Sequence, residues 1–150
     1  MVIKKILFPT DFSEGSANAI PYVVDLTKHY GARLYIVHVI YDIAKASGWY
    51  VPHISMDELY KDIEDNAKKE CERWCTEELR GYKEMEHRVL KGVPHEEILK
   101  FAEENDIDLI IMGTHSRKGL DRIIFGSTAE RVVRNAKCPV LTVGQPPKKG

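Results

Sequence analysis

The chain has 150 residues, 43% hydrophobic and 30% charged, with 22 Lys and Arg against 23 Asp and Glu for a net charge of −1. This size suits a single domain, 1–150, with a real core, and the near-neutral balance excludes a nucleic-acid protein that works through a basic excess. No apolar run approaches the ~20 residues of a membrane span, so neither a membrane nor a nucleic acid is an expected partner.

The N-terminus passes straight into a strand without a leader-like apolar segment. Three cysteines, Cys71, Cys75 and Cys138, are an odd count, as expected where thiols stay reduced. A cytoplasmic location follows as the expectation. Ile3 to Pro9 reads as a first strand with a β-rich apolar core. A helix is predicted next, with Ser13 as N-cap, Ala19, Ile20, Val23 and Leu26 on one face, a kink at Pro21 and a stop at Gly31. Ala32 to Ile40 is a second strand, and Tyr41 to Ile54 reads as a loop carrying Tyr41, Trp49 and Tyr50. Ser55 and Glu58 form a capping-box pattern. The long helix behind it runs to about Arg80, with Leu59, Ile63, Ala67, Cys71, Trp74, Cys75 and Leu79 on one side.

"EHRVLKG" is a short third strand. "PHEEILKFAEEND" is a third helix, with Pro94 in its first turn and Glu96 and Glu97 suited to the dipole there. "DLIIMG" is a fourth strand, "GSTAERVVRNAK" a fourth helix and "PVLTVG" a fifth strand, followed by the unpaired tail "QPPKKG". Strand–helix alternation of this kind predicts an α/β fold: a doubly wound, five-stranded parallel sheet with helices on both faces. With the first strand central, the winding reverses between strands one and four. Ligands of such sheets bind beyond the carboxyl ends of the strands at that point. The segments emerging there are "PTDFS" and "GTHSRKGLDRIIFGST".

The second of these segments has the chemistry of a phosphate site. Glycines let backbone N–H groups approach an anion. Gly126-Ser127-Thr128 opens a helix whose N-terminus offers free donors and partial positive charge. Arg117, Lys118 and Arg122 add cations. Composition alone is equally compatible with a glycine loop ahead of a capped helix. The motif G-x-x-x-x-G-K-[ST] is excluded because no glycine precedes a lysine, and G-x-G-x-x-G fails because the first turn reads "PTDFSEGS". Cys71 and Cys75, four apart, lack the further ligands of a zinc set. His38, between Val37 and Val39, reads as a packed strand histidine. No G-x-S-x-G or other nucleophile motif is present.

"ILFPTDFSEGS", "YIVHVI", "GVPHEEILKFAEENDIDLIIMGTHS" and "FGSTAERVVRNAKCPVLTV" together make the chain resemble the universal stress protein family over nearly its whole length. The family's nucleotide-binding branch carries G-x2-G-x9-G-[ST]. Gly113, Ser116 and Gly126-Ser127 keep that spacing, with serine in place of the second glycine. The resemblance implies a Rossmann-like sheet in the order 3-2-1-4-5 and an adenine nucleotide, ATP or AMP, with any Mg2+ carried by the nucleotide. By the same resemblance Pro9 and Thr10 line the adenine side, Asp11 accepts from ribose hydroxyls, and Val39 and Met112 border the base. Gly113, Thr114, His115, Ser116, Arg117, Lys118, Gly119, Gly126, Ser127 and Thr128 wrap the phosphates. Asp11 could equally serve to cap a turn. The resemblance also implies a homodimer through strand five, with Val140, Leu141 and Val143 at the interface. A binding module acting in the stress response is the favoured class. A slow ATP hydrolase and a nucleotide-free dimer closed by Ser116 stand as alternatives. The loop Tyr41 to Ile54 is expected to cover part of the nucleotide or, equally, to pack on the long helix as a surface loop.

Overall fold

A computed structural model describes residues 1–42, 56–78, 80–114 and 126–145. In chain order the elements are β1 (Lys5–Pro9), α1 (Glu14–Ala17), α2 (Ile20–Tyr30), β2 (Arg33–Tyr41), α3 (Met56–Glu78), β3 (Met85–Gly92), α4 (Pro94–Glu104), β4 (Leu109–Gly113), α5 (Ser127–Asn135) and β5 (Val140–Val143). The strands form one parallel sheet in the order β3-β2-β1-β4-β5. The predicted winding is therefore present, with its reversal between β1 and β4.

Strand alternation explains why helices cover both faces. Side chains along a strand point to opposite sides in turn, and the central strands are apolar on both. Ile6, Phe8, Leu34, Ile36 and Ile111 face one way, onto Ala19 and Val23 from the start of α2. Leu7, Tyr35, Val37, Ile110 and Met112 face the other, onto Ile98, Phe101 and Ala102 of α4 and Ala129 and Val132 of α5. A strand buried on both faces reads as a nearly unbroken apolar run, as "LYIVHVI" does.

The helix boundaries obey local chemistry, with one correction. Ser13 caps α1 by accepting from Ser16 N at 3.2 Å. Gly31 ends α2 in the left-handed region at φ 61°, where a side chain would be strained. Pro21 does not kink a single helix. The chain instead breaks into α1 and α2, and Pro21 sits in the first turn of α2, where its missing N–H leaves no helical bond unmade. In α3, Ala67 is buried but Ile63 is 36% exposed, so the predicted apolar face is interrupted. Ser55, Leu79, the tail 146–150 and residues 43–54 of the expected covering loop lie outside the described residues, as do the side chains of Leu59, Cys71, Trp74 and Cys75. Among the described residues no helix is long and apolar enough to cross a membrane.

Candidate functional site

The carboxyl end of β1 continues into a tight turn. Thr10 N donates to Val37 O at 2.9 Å, the last rung between β1 and β2. Thr10 Oγ1 then accepts from Phe12 N at 3.0 Å. Asp11 Oδ1 accepts from Ser13 N at 3.0 Å, Ser13 Oγ at 2.5 Å and Ser16 Oγ at 2.7 Å, while Asp11 N donates to Ser16 Oγ at 3.2 Å. Asp11 is thus a turn-capping residue, as its chemistry allowed. The three bonds that the carboxylate accepts all fall on Oδ1. Phe12 closes the turn with φ 64°, an uncommon conformation for a bulky residue.

The carboxyl end of β4 lies opposite. Thr114 N donates to Val143 O of β5 at 3.1 Å, and Gly126 N donates to Thr114 O at 2.6 Å. The residues flanking the segment 115–125 are therefore joined directly. Gly113 has its own reason to be glycine. A Cβ there would lie 2.1 Å from Gly15 O, so α1 can rest on the end of β4 only without a side chain at that point.

α5 begins at Gly126, whose φ −62° and ψ 150° supply no side-chain cap. Its first helical bond runs from Glu130 N to Gly126 O at 3.0 Å. The amides of Ser127, Thr128 and Ala129 precede that bond and have no partner within the helix.

These segments enclose one cleft between the ends of β1 and β4. Its polar wall is formed by Thr10, Asp11, Ser16, Gly113, Thr114, Gly126, Ser127 and Thr128. Its apolar wall is formed by Pro9, Val37, Val39, Pro94, Ile98, Met112 and Ala129. The structure therefore gathers the sequence-predicted Pro9, Thr10, Asp11, Val39, Met112, Gly113, Thr114, Gly126, Ser127 and Thr128 around a single opening. His115, Ser116, Arg117, Lys118 and Gly119 lie outside the described residues. The sequence reading missed Ser16, Val37, Pro94, Ile98 and Ala129. Val37 alternates with Val39 on one face of β2, and Ala129 completes the first turn after Gly126, so both had a local signal. Ser16, Pro94 and Ile98 reach the cleft only through the tertiary fold.

His38 is more than a packed strand histidine. Its Nδ1 lies 2.8 Å from Thr10 O, and its ring lies 4.7 Å from that of Phe12. Among the described residues no cluster of His, Cys, Asp and Glu could hold a metal ion. Burial pushes the Cys138 thiol above its usual range, which disfavours the reactive thiolate.

A family model described as the universal stress protein family matches residues 3–144. The chain belongs to this family. Universal stress protein MJ0531 of Methanocaldococcus jannaschii is 38% identical over 152 residues, covering 97% of this chain and 85% of that protein. Universal stress protein MJ0577 of the same organism is 33% identical, covering 95% of this chain and 96% of that one. The solved structure of MJ0577 superimposes with a TM-score of 0.85 at 32% identity, covering 99% of this chain and 100% of that one. The fold is also that of a universal stress protein from Archaeoglobus fulgidus solved in complex with dAMP, with a TM-score of 0.62 at 22% identity over 95% of this chain and 99% of that one. At that identity the likeness is one of fold.

Proposed function

We propose that this universal stress protein binds an adenine nucleotide, ATP or AMP, in the cleft between β1 and β4 and acts as a stress-response binding module. One observation carries the reading: an apolar wall faces an uncapped helix start across a single opening. A purine offers a flat apolar body, and Val39 and Met112, backed by the buried Val37 and Ile98, form the surface for it. Phosphates seek free backbone donors at a helix N-terminus, and α5 has them at Ser127, Thr128 and Ala129. Asp11 Oδ2, left over from the turn, is the acceptor for ribose hydroxyls. Arg117, Lys118 and the rest of the segment from His115 to Gly119 supply charge and further amides to the phosphates. The family relative from Archaeoglobus fulgidus solved with dAMP supports the same ligand class.

Binding is favoured over hydrolysis. Hydrolysis needs a group that positions water beside a metal-bound triphosphate. Among the described residues lining the cleft, Asp11 is the one carboxylate, and Oδ1 is committed to Ser13 and Ser16. Any Mg2+ would arrive with the nucleotide. The domain, 1–150, acts in the cytoplasm as a homodimer. β5 is an edge strand of the sheet, and an edge invites pairing with a second chain through Val140, Leu141 and Val143.

Mass spectrometry of protein denatured straight after purification tests the ligand. ATP, ADP or AMP is expected among the released small molecules, with micromolar affinity for ATP or AMP in calorimetric titration of the stripped chain. Absence of both the co-purified nucleotide and any heat of binding would overturn the reading. Light scattering at micromolar concentration tests the dimer, and a monomer mass would overturn it.

A further inference from the structure

We propose that His38 is a positioning residue of this cleft, holding the Thr10–Asp11 turn from behind in the geometry that meets the ligand. The ligand half of the proposal rests on the nucleotide reading. The turn half does not.

Strand alternation sets the arrangement. Val37 and Val39 of β2 line the cleft, so His38 between them points to the opposite face of the sheet. From there it reaches the rear of the turn that emerges from β1. The paired register of β1 and β2 ends at Pro9 and Val37, and Thr10 N makes one further bond, to Val37 O. Thr10 is 5% exposed, and its carbonyl lies past the end of that ladder. A buried carbonyl without a partner is costly. His38 Nδ1, at 2.8 Å, is its partner.

A carbonyl oxygen can only accept, so Nδ1 must carry the proton. In the neutral ring Nε2 is then the bare nitrogen. The second contact lies just beyond Asp11. Phe12, at φ 64°, lays its ring against the imidazole with centroids 4.7 Å apart and planes inclined by 36°. One side chain therefore grips the turn on both sides of Asp11, by a hydrogen bond to residue 10 and a ring contact to residue 12. The carboxylate between them is held at the mouth of the cleft.

A packing role and a positioning role make different demands of position 38. Packing needs a ring of similar size. Positioning needs a donor one bond beyond Cγ, and both Nδ1 of histidine and Nδ2 of asparagine sit there. The test uses the full chain as the natural protein, His38→Phe and His38→Asn. Each is titrated with ATP and with AMP by calorimetry, unfolded in urea, and followed ligand-free by nitrogen-15 NMR.

His38→Phe is expected to weaken ATP binding about tenfold, the effect of one lost hydrogen bond at a buried carbonyl. It should shift the amide signals of Thr10 to Ser16 and leave those of Ser127 to Ala129 in place. His38→Asn should recover affinity to within about threefold of the natural protein. In the natural protein, the His38 ring signals should show Nδ1 protonated at neutral pH. Equal affinity in His38→Phe, or turn amides that do not move, would overturn the proposal. So would a bare Nδ1, which is read on the natural protein even if a variant fails to fold. If the natural protein binds neither ATP nor AMP, the nucleotide reading falls. The turn amides and the ring protonation then decide alone whether His38 holds the turn.

Discussion

On one side of the cleft, Asp11, Ser13 and Ser16 spend most of their polar atoms on one another. On the other side, Gly126 brings no side chain to the start of α5, and the amides behind it have no helical partner. The first wall is shaped by internal bonds before anything arrives. The second is a set of donors whose partners must come from outside, as water or as ligand. Glycine serves both walls in different ways: Gly15 presses on Gly113, and Gly126 brings no side-chain oxygen to cap the amides behind it.

Breaking the prearranged wall should have the largest effect. Gly113→Ala puts a Cβ 2.1 Å from Gly15 O, and backbone cannot step aside as a flexible side chain can. Overpacking of this kind costs about 1–3 kcal/mol, so the urea midpoint should fall at unchanged m-value and ATP affinity should fall with it. An unaltered midpoint would mean that α1 does not rest on β4 as described.

Gly126→Val should separate binding from folding. The φ −62° and ψ 150° of Gly126 are open to any residue, and replacing glycine at an N-cap costs on the order of 1 kcal/mol. The fold should survive with its circular dichroism intact while ATP binding is lost. Undiminished affinity by calorimetry would remove the phosphates from the start of α5.

A smaller effect, about tenfold on ATP, is expected for Asp11→Ala. Comparison with 2′-deoxy-ATP sharpens it. Loosening of the turn weakens both ligands alike, whereas loss of a contact to the 2′-hydroxyl weakens ATP more. If the ratio of the two affinities is unchanged by the substitution, the carboxylate does not touch the 2′-hydroxyl.

The smallest effect is expected for Ser116→Gly. If residue 116 needs positive φ, serine costs about 1–2 kcal/mol, and a hydroxyl reaching a phosphate oxygen returns about 0.5–1.5 kcal/mol. The two nearly cancel, so the ATP dissociation constant should change by about threefold, with about thirtyfold as the bound set by the strain acting alone. A natural protein that does not bind, beside a glycine variant that binds at micromolar ATP, would make Ser116 a lock.

Much of this was legible in the sequence where one segment decides its own form. Ser13 caps because its hydroxyl reaches Ser16 N three residues on. Gly31 stops α2 because it alone tolerates φ 61° without strain. The parallel sheet followed from alternation and winding, its strand order from the family resemblance, and the site from where the winding reverses once the first strand is central. What stayed hidden depends on segments far apart in the chain. Gly113 meets a packing need that stays hidden because Gly15, its neighbour in space, is nowhere near it in sequence. His38 looked apolar in role because its flanking valines are. Its partner Thr10 is brought to it only by pairing of β1 with β2. Pro21 was read against a single long helix, and only the break between Ala17 and Ile20 shows that it belongs to a beginning.

The bond from Gly126 N to Thr114 O, 2.6 Å long, has an evolutionary consequence. It joins the two residues that flank 115–125, Thr114 after β4 and Gly126 before α5. Chain statistics make the closure cost rise only logarithmically with length, by about 0.6 kcal/mol per doubling. Insertions, deletions and recoloured charge between those two residues should therefore be cheap for the fold. The sheet can stay constant while selection rewrites the stretch between them.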